Sequence, residues 1–159
     1  MKNEWKTYLE TIGIQGIFLK RVGEVINFYQ EFYPDQIEDI FVTEYFDKEE
    51  NRQYESVWLF SMQFAMEAKQ FLVADDFDST PLQRQVKYWT IKKTEFDFRD
   101  ASIKSRMHLQ FELLSGISGN LKASRENCNF LMNIFRKYIL SNVIECSAVT
   151  HQMDEGDGI

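Results

Sequence analysis

The spacing of apolar residues changes twice along this chain, and these changes constrain the fold more than any other feature. From Trp5 through Phe32 apolar residues recur every three to four positions, which is typical of an amphipathic helix. From Ile37 onward the spacing becomes two, which is typical of half-buried strands. Between Phe130 and Ile139 it returns to helical spacing. The order therefore predicts a helix, a series of consecutive strands and a final helix.

Glycine, proline and capping residues indicate where these elements begin and end. Gly13 and Gly16 weaken the first helix, so we expect it to be firm only over Ile17–Phe32. The aspartate-rich segment 75–81 is predicted to be a loop between strands, and Ser124 to be the N-cap of the last helix. The polar run 47–52 is predicted to connect a hairpin, and strands are predicted at 40–46, 54–62, 64–73, 83–92, 94–99 and 103–114, with a weaker one near Leu121.

Length and composition predict one domain. The chain has 159 residues, of which 44% are hydrophobic and 15% aromatic, enough to form a sizeable core. Its first ten residues lack the apolar stretch of a secretory signal, and Cys128 and Cys146 without a His/Cys cluster fit a reducing compartment. We therefore expect a cytoplasmic protein with three parts: an N-terminal helical segment (1–33), a sheet with a C-terminal helix (34–142) and an acidic flexible tail (143–159).

The predicted element order resembles that of a known superfamily. The strand segments Ile40–Phe46, Tyr54–Met62, Phe64–Val73, Val86–Phe98 and Met107–Leu114, then Gly119–Ser124 leading into a helix Arg125–Tyr138, resemble a PH-like domain. The element order predicts an α+β fold that begins with an N-terminal helix. The resemblance, which covers residues 37–142, implies a bent antiparallel sheet of six to seven strands (the PH-like barrel) with a C-terminal helix packed on the sheet. The chain as a whole also resembles small bacterial proteins of the cyanobacterial kind.

The first predicted hairpin departs from the lipid-binding members of that superfamily. Phosphoinositide-binding PH domains carry lysine and arginine there, whereas segment 35–55 holds eight carboxylates against only Lys48 and Arg52. The tryptophan typical of the superfamily's terminal helix is also missing from Arg125–Tyr138. The resemblance therefore implies the fold and a protein-binding function. The two departures, in contrast, disfavour binding to membranes.

Positive charge is concentrated in one part of an acidic chain. The net charge of −7 opposes binding to nucleic acid or anionic lipid. Segment 84–106 nevertheless carries seven cations against three carboxylates. Either these charges solvate the outer face of a hairpin, with Asp97 facing Arg106 and Glu95 facing His108, or they bind an anionic partner. The candidate partner-binding residues are Arg84, Lys87, Trp89, Lys92, Lys93, Lys104 and Arg106.

The sequence contains no catalytic, cofactor or metal motif. Asp75, Asp76 and Asp78 lack the glycine and late glutamate of an EF-hand, and the two histidines have no further ligand at a useful spacing. Cys128 falls in the first turns of the last helix, where it is either a thiolate favoured by the helix dipole or a small buried hydrophobe. We expect a non-enzymatic interaction module without cofactor or metal, whose partner is a protein.

The aromatic residues leave a second function open. Tyr54, Trp58 and Phe60 share one predicted strand face, and Phe96 and Phe98 another, so they either fill the core or line a cavity. A cavity would indicate a START-like, helix-grip domain that binds a small hydrophobic ligand. A filled interior supports the interaction module, and an apolar cavity of roughly 300 Å³ or more between sheet and helix supports the ligand-binding domain.

Overall fold

The computed structural model describes residues 4–32, 37–49, 51–69, 76–96 and 104–144, which form an α+β fold as predicted. The helices are α1 (Glu4–Thr11), α2 (Ile17–Phe32) and α3 (Asn127–Ile134), and α3 continues as a π-helical turn (Phe135–Ile139) and a 3₁₀ turn (Leu140–Asn142). The strands are β1 (Asp39–Phe46), β2 (Arg52–Phe60), β3 (Phe64–Lys69), β4 (Asp76–Pro81), β5 (Val86–Phe96), β6 (Lys104–Leu113) and β7 (Ser118–Ser124). They form two antiparallel sheets, in the orders β1-β2-β3-β4 and β5-β6-β7.

Aromatic side chains fill the space between the two sheets and the C-terminal helix. The Trp58 ring stacks on Phe60 with centroids 5.8 Å apart, and it meets the Phe111 ring of β6 edge to face at 5.9 Å. Phe60 in turn stacks on Tyr138, in the turn that follows α3, at 4.9 Å. The predicted packing of the C-terminal helix on the sheet is therefore confirmed.

The N-terminal helices belong to the same hydrophobic core. Gly13 and Gly16 adopt φ angles of +90° and +63°, which glycine tolerates best, and they separate α1 from α2. The firm helix predicted from Ile17 to Phe32 is confirmed. The apolar side of α2 is buried. The segment between the two helices also contacts the sheet, because the Tyr54 hydroxyl of β2 donates to the Ile12 carbonyl at 2.7 Å. No helix in the described ranges has the length and apolar composition needed to cross a bilayer. The buried residues of α2 are Val22, Val25, Ile26 and Tyr29.

Side chains, rather than a continuous backbone ladder, join the two sheets where β1 meets β7. The Lys122 backbone N–H donates to Thr43 Oγ1 at 2.9 Å. Beside this contact the backbone groups of Val42 are satisfied by helices instead, since Asn127 Nδ2 of α3 donates to the Val42 carbonyl at 3.0 Å and the Val42 N–H donates to the Tyr8 hydroxyl of α1 at 2.8 Å. The seven strands within the described residues therefore form two connected sheets and no closed barrel.

The prediction of a loop at 75–81 is wrong for residues 76–81, which are the part that the structure describes. Asp76–Pro81 forms β4, which pairs with β3 and places Asp78 opposite Glu67. Lys69 Nζ lies 3.0 Å from Asp78 Oδ2, so charge on neighbouring strands is partly compensated. Since β4 is an edge strand, it can carry charged residues and end in proline, features that are typical of a loop when the sequence is considered alone.

The predicted break between strands 83–92 and 94–99 is also wrong. Val86–Phe96 is one strand, and Trp89 and Ile91 pair with Phe111 and Leu109 on the core side. The predicted pairings of Arg106 and His108 with acidic residues are wrong as well, because Arg106 lies opposite Thr94 and His108 opposite Lys92. Burial of the apolar pairs decides this register, since a slip of one residue would turn them to solvent.

Ser124 is not the N-cap of the last helix. It ends β7, and its hydroxyl donates to Glu44 Oε1 at 2.6 Å. The residue that precedes α3 is Glu126, which makes no side-chain capping bond. Ser124 is thus used to satisfy a buried carboxylate, which only the packing of β1 against β7 brings near it.

Candidate functional site

The outer face of the three-stranded sheet carries a row of three basic side chains, one from each strand. Lys92 of β5 lies opposite His108 of β6, and His108 lies opposite Lys122 of β7. Their neighbours Ile91 and Leu109 pack in the core, so strand alternation turns the basic side chains outward. Because paired strands lie about 4.8 Å apart, the Cα atoms of the two lysines are roughly 10 Å apart.

Arg106 lies in the neighbouring row and adds a third cation to the two lysines. Its guanidinium carbon lies 3.8 Å from the centroid of the Phe46 ring at the end of β1, a cation–π contact that orients the side chain. Tyr45 precedes Phe46 and is 42% exposed. These residues line an open groove of about 390 Å³. We call it the basic groove and define it by Lys92, Arg106, His108 and Lys122 together with Tyr45 and Phe46.

The carboxylate that lines the basic groove, Glu44, is already fully engaged. It is 1% exposed, and its two oxygens lie 2.8 and 3.0 Å from Arg52 Nε and Nη2. Ser124 Oγ donates to Oε1, and Asn127 Nδ2 donates to Oε2. Burial lowers the pKa of the Arg52 guanidinium, but the hydrogen bond and charge of Glu44 outweigh this and raise the pKa overall. The negative charge of Glu44 is therefore balanced by the positive charge of Arg52.

The two lysines of the row keep their charge available to a ligand. Within the part of the chain that the structure describes, neither Lys92 nor Lys122 forms an ion pair. His108 lies between them, and its Nε2 is 3.0 Å from Asn120 Oδ1. The described residues contain no group of three or more His, Cys, Asp or Glu that could hold a metal ion.

Of the seven candidate residues, the structure brings Lys92 and Arg106 together in the basic groove. Trp89 faces the core, where its ring lies 4.8 Å from that of Phe135. Lys93 shares the side of β5 that carries Trp89, and its Nζ lies 3.1 Å from Glu95 Oε1.

Two of the other three candidates lie away from the groove, and the side chain of the third is outside the described part of the structure. Lys87 is exposed near the start of β5, and five residues of extended strand place it roughly 17 Å from Lys92. Arg84 belongs to the turn before β5, where its backbone N–H donates to Asn142 Oδ1 at 3.2 Å. Lys104 begins β6, but its side chain is outside the described part of the structure.

Two groove residues, His108 and Lys122, are missing from the set predicted by sequence. Both lie in segments with strand periodicity, and Lys122 falls between the apolar residues Leu121 and Ala123. Alternation alone therefore indicates that Lys122 faces outward. Its position beside His108 depends on the register of β6 with β7, which only the structure supplies.

The Cys128 side chain is buried. It is 5% exposed, and its Sγ donates to the Ser105 carbonyl at 3.7 Å. Burial raises the pKa of the Cys128 thiol to about 11, with the charge of Glu44 adding to the rise. Of the two roles open to this cysteine, the structure favours the small buried hydrophobe.

Alkylation of Cys128 by iodoacetamide at pH 8 is expected to be slow in a Cys146→Ser variant. Because each pKa unit changes the thiolate fraction about tenfold, we expect a rate roughly 100-fold below that of a small thiol with an ordinary pKa. Mass spectrometry against time measures the rate, and the same variant in urea should react at the ordinary rate. A folded protein that reacts within a few-fold of the small thiol would contradict the burial of this side chain.

Comparison with known proteins assigns no family. No protein-family model matches the chain, and no curated protein matches it. One similar solved structure is the crystal structure of the C-terminal domain of an unknown protein from Leishmania infantum, which is 8% identical. The match covers 72% of this chain and 98% of that chain, with a TM-score of 0.42. A likeness at this TM-score carries no argument about fold or function.

Proposed function

We propose that this protein is a non-enzymatic interaction module of PH-like fold, and that the basic groove binds an acidic segment of a partner protein. The observation that carries the proposal is the row of Lys92, His108 and Lys122 beside Arg106, in which neither lysine is paired within the described residues. Seven antiparallel strands divided four and three, followed by a C-terminal helix packed on them, support the PH-like assignment.

Size and surrounding charge favour a protein segment over a polyanion. The groove holds about 390 Å³, which suits a few side chains. The tip of the β1–β2 hairpin, with Asp47 and Glu49, directly follows Phe46, and the chain carries a net charge of −7. These carboxylates oppose a nucleic-acid backbone or an anionic membrane, but a peptide with a few acidic residues can avoid them. Exposed Tyr45 at the rim offers an aromatic contact of the kind enriched at protein interfaces.

The filled interior supports an interaction module over a domain for hydrophobic ligands. The largest fully buried side chains include Tyr29, Tyr138, Phe41, Phe60 and Phe111. Phe60 and Tyr138 stack directly on each other across the space between sheet and helix where such a ligand would lie. Of the aromatic residues predicted to fill or line this space, Trp58 and Phe60 stack on each other and Tyr54 packs edge to face on Phe18, while the Phe96 side chain and Phe98 lie outside the described part of the structure.

Reversing both lysine charges, in Lys92→Glu with Lys122→Glu, is expected to weaken binding of an acidic peptide at least tenfold. The probe is a fluorescein-labelled decapeptide of alternating Glu and Tyr, and fluorescence anisotropy measures its affinity. Attraction at two positions becomes repulsion, and a tenfold loss corresponds to about 1.4 kcal/mol of binding free energy. Binding to the unaltered protein should also weaken as salt increases.

The matched control is Lys20→Glu with Lys87→Glu, which changes the net charge equally at two exposed positions outside the groove. We expect its affinity for the peptide to stay within twofold of that of the unaltered protein. Equal losses in both double variants would show an effect of net charge and would contradict the proposed site. Tighter binding to a single-stranded oligonucleotide or to phosphoinositide vesicles, lost in the Lys92/Lys122 variant, would show that the partner is not a protein.

A further inference from the structure

The tip of the β1–β2 hairpin, residues 47–51, adjoins the basic groove and carries the opposite charge. This hairpin tip contains three carboxylates and one lysine. Phe46 lines the basic groove and is followed directly by Asp47, the first residue of the tip. Glu49 is exposed, and within the described ranges neither Asp47 nor Glu49 forms an ion pair. The surface therefore presents an acidic and a basic patch side by side.

Hydrogen bonds hold the hairpin tip in one shape. Asp47 Oδ1 accepts from the backbone N–H groups of Glu49 and Asn51, both at 2.9 Å. The Asp47 N–H donates to the Asn51 carbonyl at 3.1 Å and closes the turn. The hydrogen bond from the Asn51 backbone, followed by that from Glu49, lowers the pKa of the Asp47 carboxyl. Because the acidic turn is already formed, it loses little conformational freedom when it binds.

The width of the hairpin tip matches that of the basic groove. The tip joins two paired strands, which lie about 4.8 Å apart, and the Cα atoms of Lys92 and Lys122 are roughly 10 Å apart. Its carboxylates can therefore lie over the row of Lys92, His108 and Lys122. The groove volume of about 390 Å³ suits the few side chains that a turn of this length presents.

We propose that the basic groove of one copy of this protein binds the hairpin tip of a second copy, in a dimer with two-fold symmetry. This inference rests on the proposed function of the groove and names its partner. Because groove and tip adjoin on each copy, one two-fold axis places each groove on the other copy's tip, and the same contact forms twice. Opposite charges face each other at both contacts, while like charges lie farther apart across the axis. An unrelated acidic segment would make this contact only once.

Sedimentation equilibrium of the full-length protein measures the dissociation constant of the dimer. Because two small charged contacts form a transient interface, the protein concentration extends to about 1 mM. We expect a reversible dimer at about 10 mM salt that dissociates at about 1 M, since the screening length falls from about 30 Å to about 3 Å. The decapeptide of alternating Glu and Tyr should also dissociate the dimer, because both occupy the groove. A protein that is monomeric at every concentration, or a dimer that salt does not weaken, overturns the inference.

Complementary charge reversals test the contact itself. Glu49→Lys reverses a charge in the tip and Lys122→Glu reverses one in the groove, and we expect each variant alone to dimerise roughly tenfold more weakly or worse. An equimolar mixture of the two variants should form a heterodimer about as stable as the unaltered dimer, because each groove then faces a tip of opposite charge. Unweakened dimerisation of either variant alone, or a mixture that forms no heterodimer, contradicts the proposed contact.

The matched control is Glu10→Lys, which makes the same change of net charge at an exposed position of α1 and should leave the dissociation constant within about twofold. A loss equal to that of Glu49→Lys would show an effect of net charge and would overturn the inference.

Two comparisons separate this inference from the proposed function and from another occupant of the groove. Peptide binding by an unaltered protein that stays monomeric overturns the dimer and leaves the proposed function in place, whereas the absence of both contradicts both. Neutralising the acidic tail, in Asp154→Asn with Glu155→Gln and Asp157→Asn, should leave the dimer unchanged. Loss of the dimer in this variant, while Glu49→Lys retains it, would show that the tail occupies the groove and would overturn the inference.

Discussion

Replacing Arg52 with alanine is expected to lower the free energy of unfolding by about 3–5 kcal/mol, because it leaves a buried carboxylate without its cation. Glu44 is 1% exposed and lies 2.8 Å from Arg52 Nε, while the Arg52 side chain is 17% exposed. Ser124 and Asn127 would still donate to Glu44, but neither carries a charge. The shift in the urea unfolding curve, at unchanged slope, measures the loss.

Two further variants separate the buried charge from a general effect of losing an arginine. Arg21→Ala removes a surface pair in α2, whose partner Glu24 is 51% exposed, and should cost less than about 1 kcal/mol. Adding Glu44→Gln to Arg52→Ala should recover part of the stability, because the uncompensated charge is then gone. A loss below about 1 kcal/mol in Arg52→Ala alone would show that Glu44 is not dependent on this partner.

Replacing Gly119 with alanine is expected to cost about 2–3 kcal/mol of unfolding free energy by overpacking the space between the sheets. A Cβ at this position would lie 2.4 Å from two atoms of the Phe111 ring and 3.1 Å from the Trp58 ring. The Phe111 ring cannot move away freely, because it packs edge to face against Trp58 at 5.9 Å. Thermal and urea unfolding measure the loss.

The Gly119 prediction also has a control and a rescue. Ser118→Ala adds no bulk at an exposed position of the same strand and should leave stability within about 0.5 kcal/mol. Phe111→Leu in the Gly119→Ala background should cost less than it does alone, since the smaller side chain makes room for the methyl group. Simple additivity of the two changes would contradict the predicted clash.

The elements predicted best are those whose periodicity directly reflects burial. The firm helix from Ile17 to Phe32 and the strands around Val42 and Leu59 are examples, because one or both faces of each pack in the core. β4 was missed because an edge strand needs only weak apolar patterning, and its aspartates and Pro81 are also typical of a loop.

The sequence predicted only part of the basic groove, because it shows where charge is concentrated but not how the strands pair. Lys92 and Arg106 came from a local excess of positive charge, which a sequence shows directly. His108 and Lys122 join them because the strands pair in one particular register. Trp89 was included because it lies next to charged residues in the chain, but alternation turns it to the core.

By itself, the sequence determined the class of fold, the order of helices and strands, and the uneven distribution of charge, because these depend on the spacing and local composition of residues. The tertiary structure alone decided which of those residues meet. Glu44 and Ser124 are 80 residues apart in the chain and share a hydrogen bond, and Lys92 and Lys122 share one row across three strands. Such contacts depend on register and sheet packing, which are selected by the burial of the whole core and not by any local pattern.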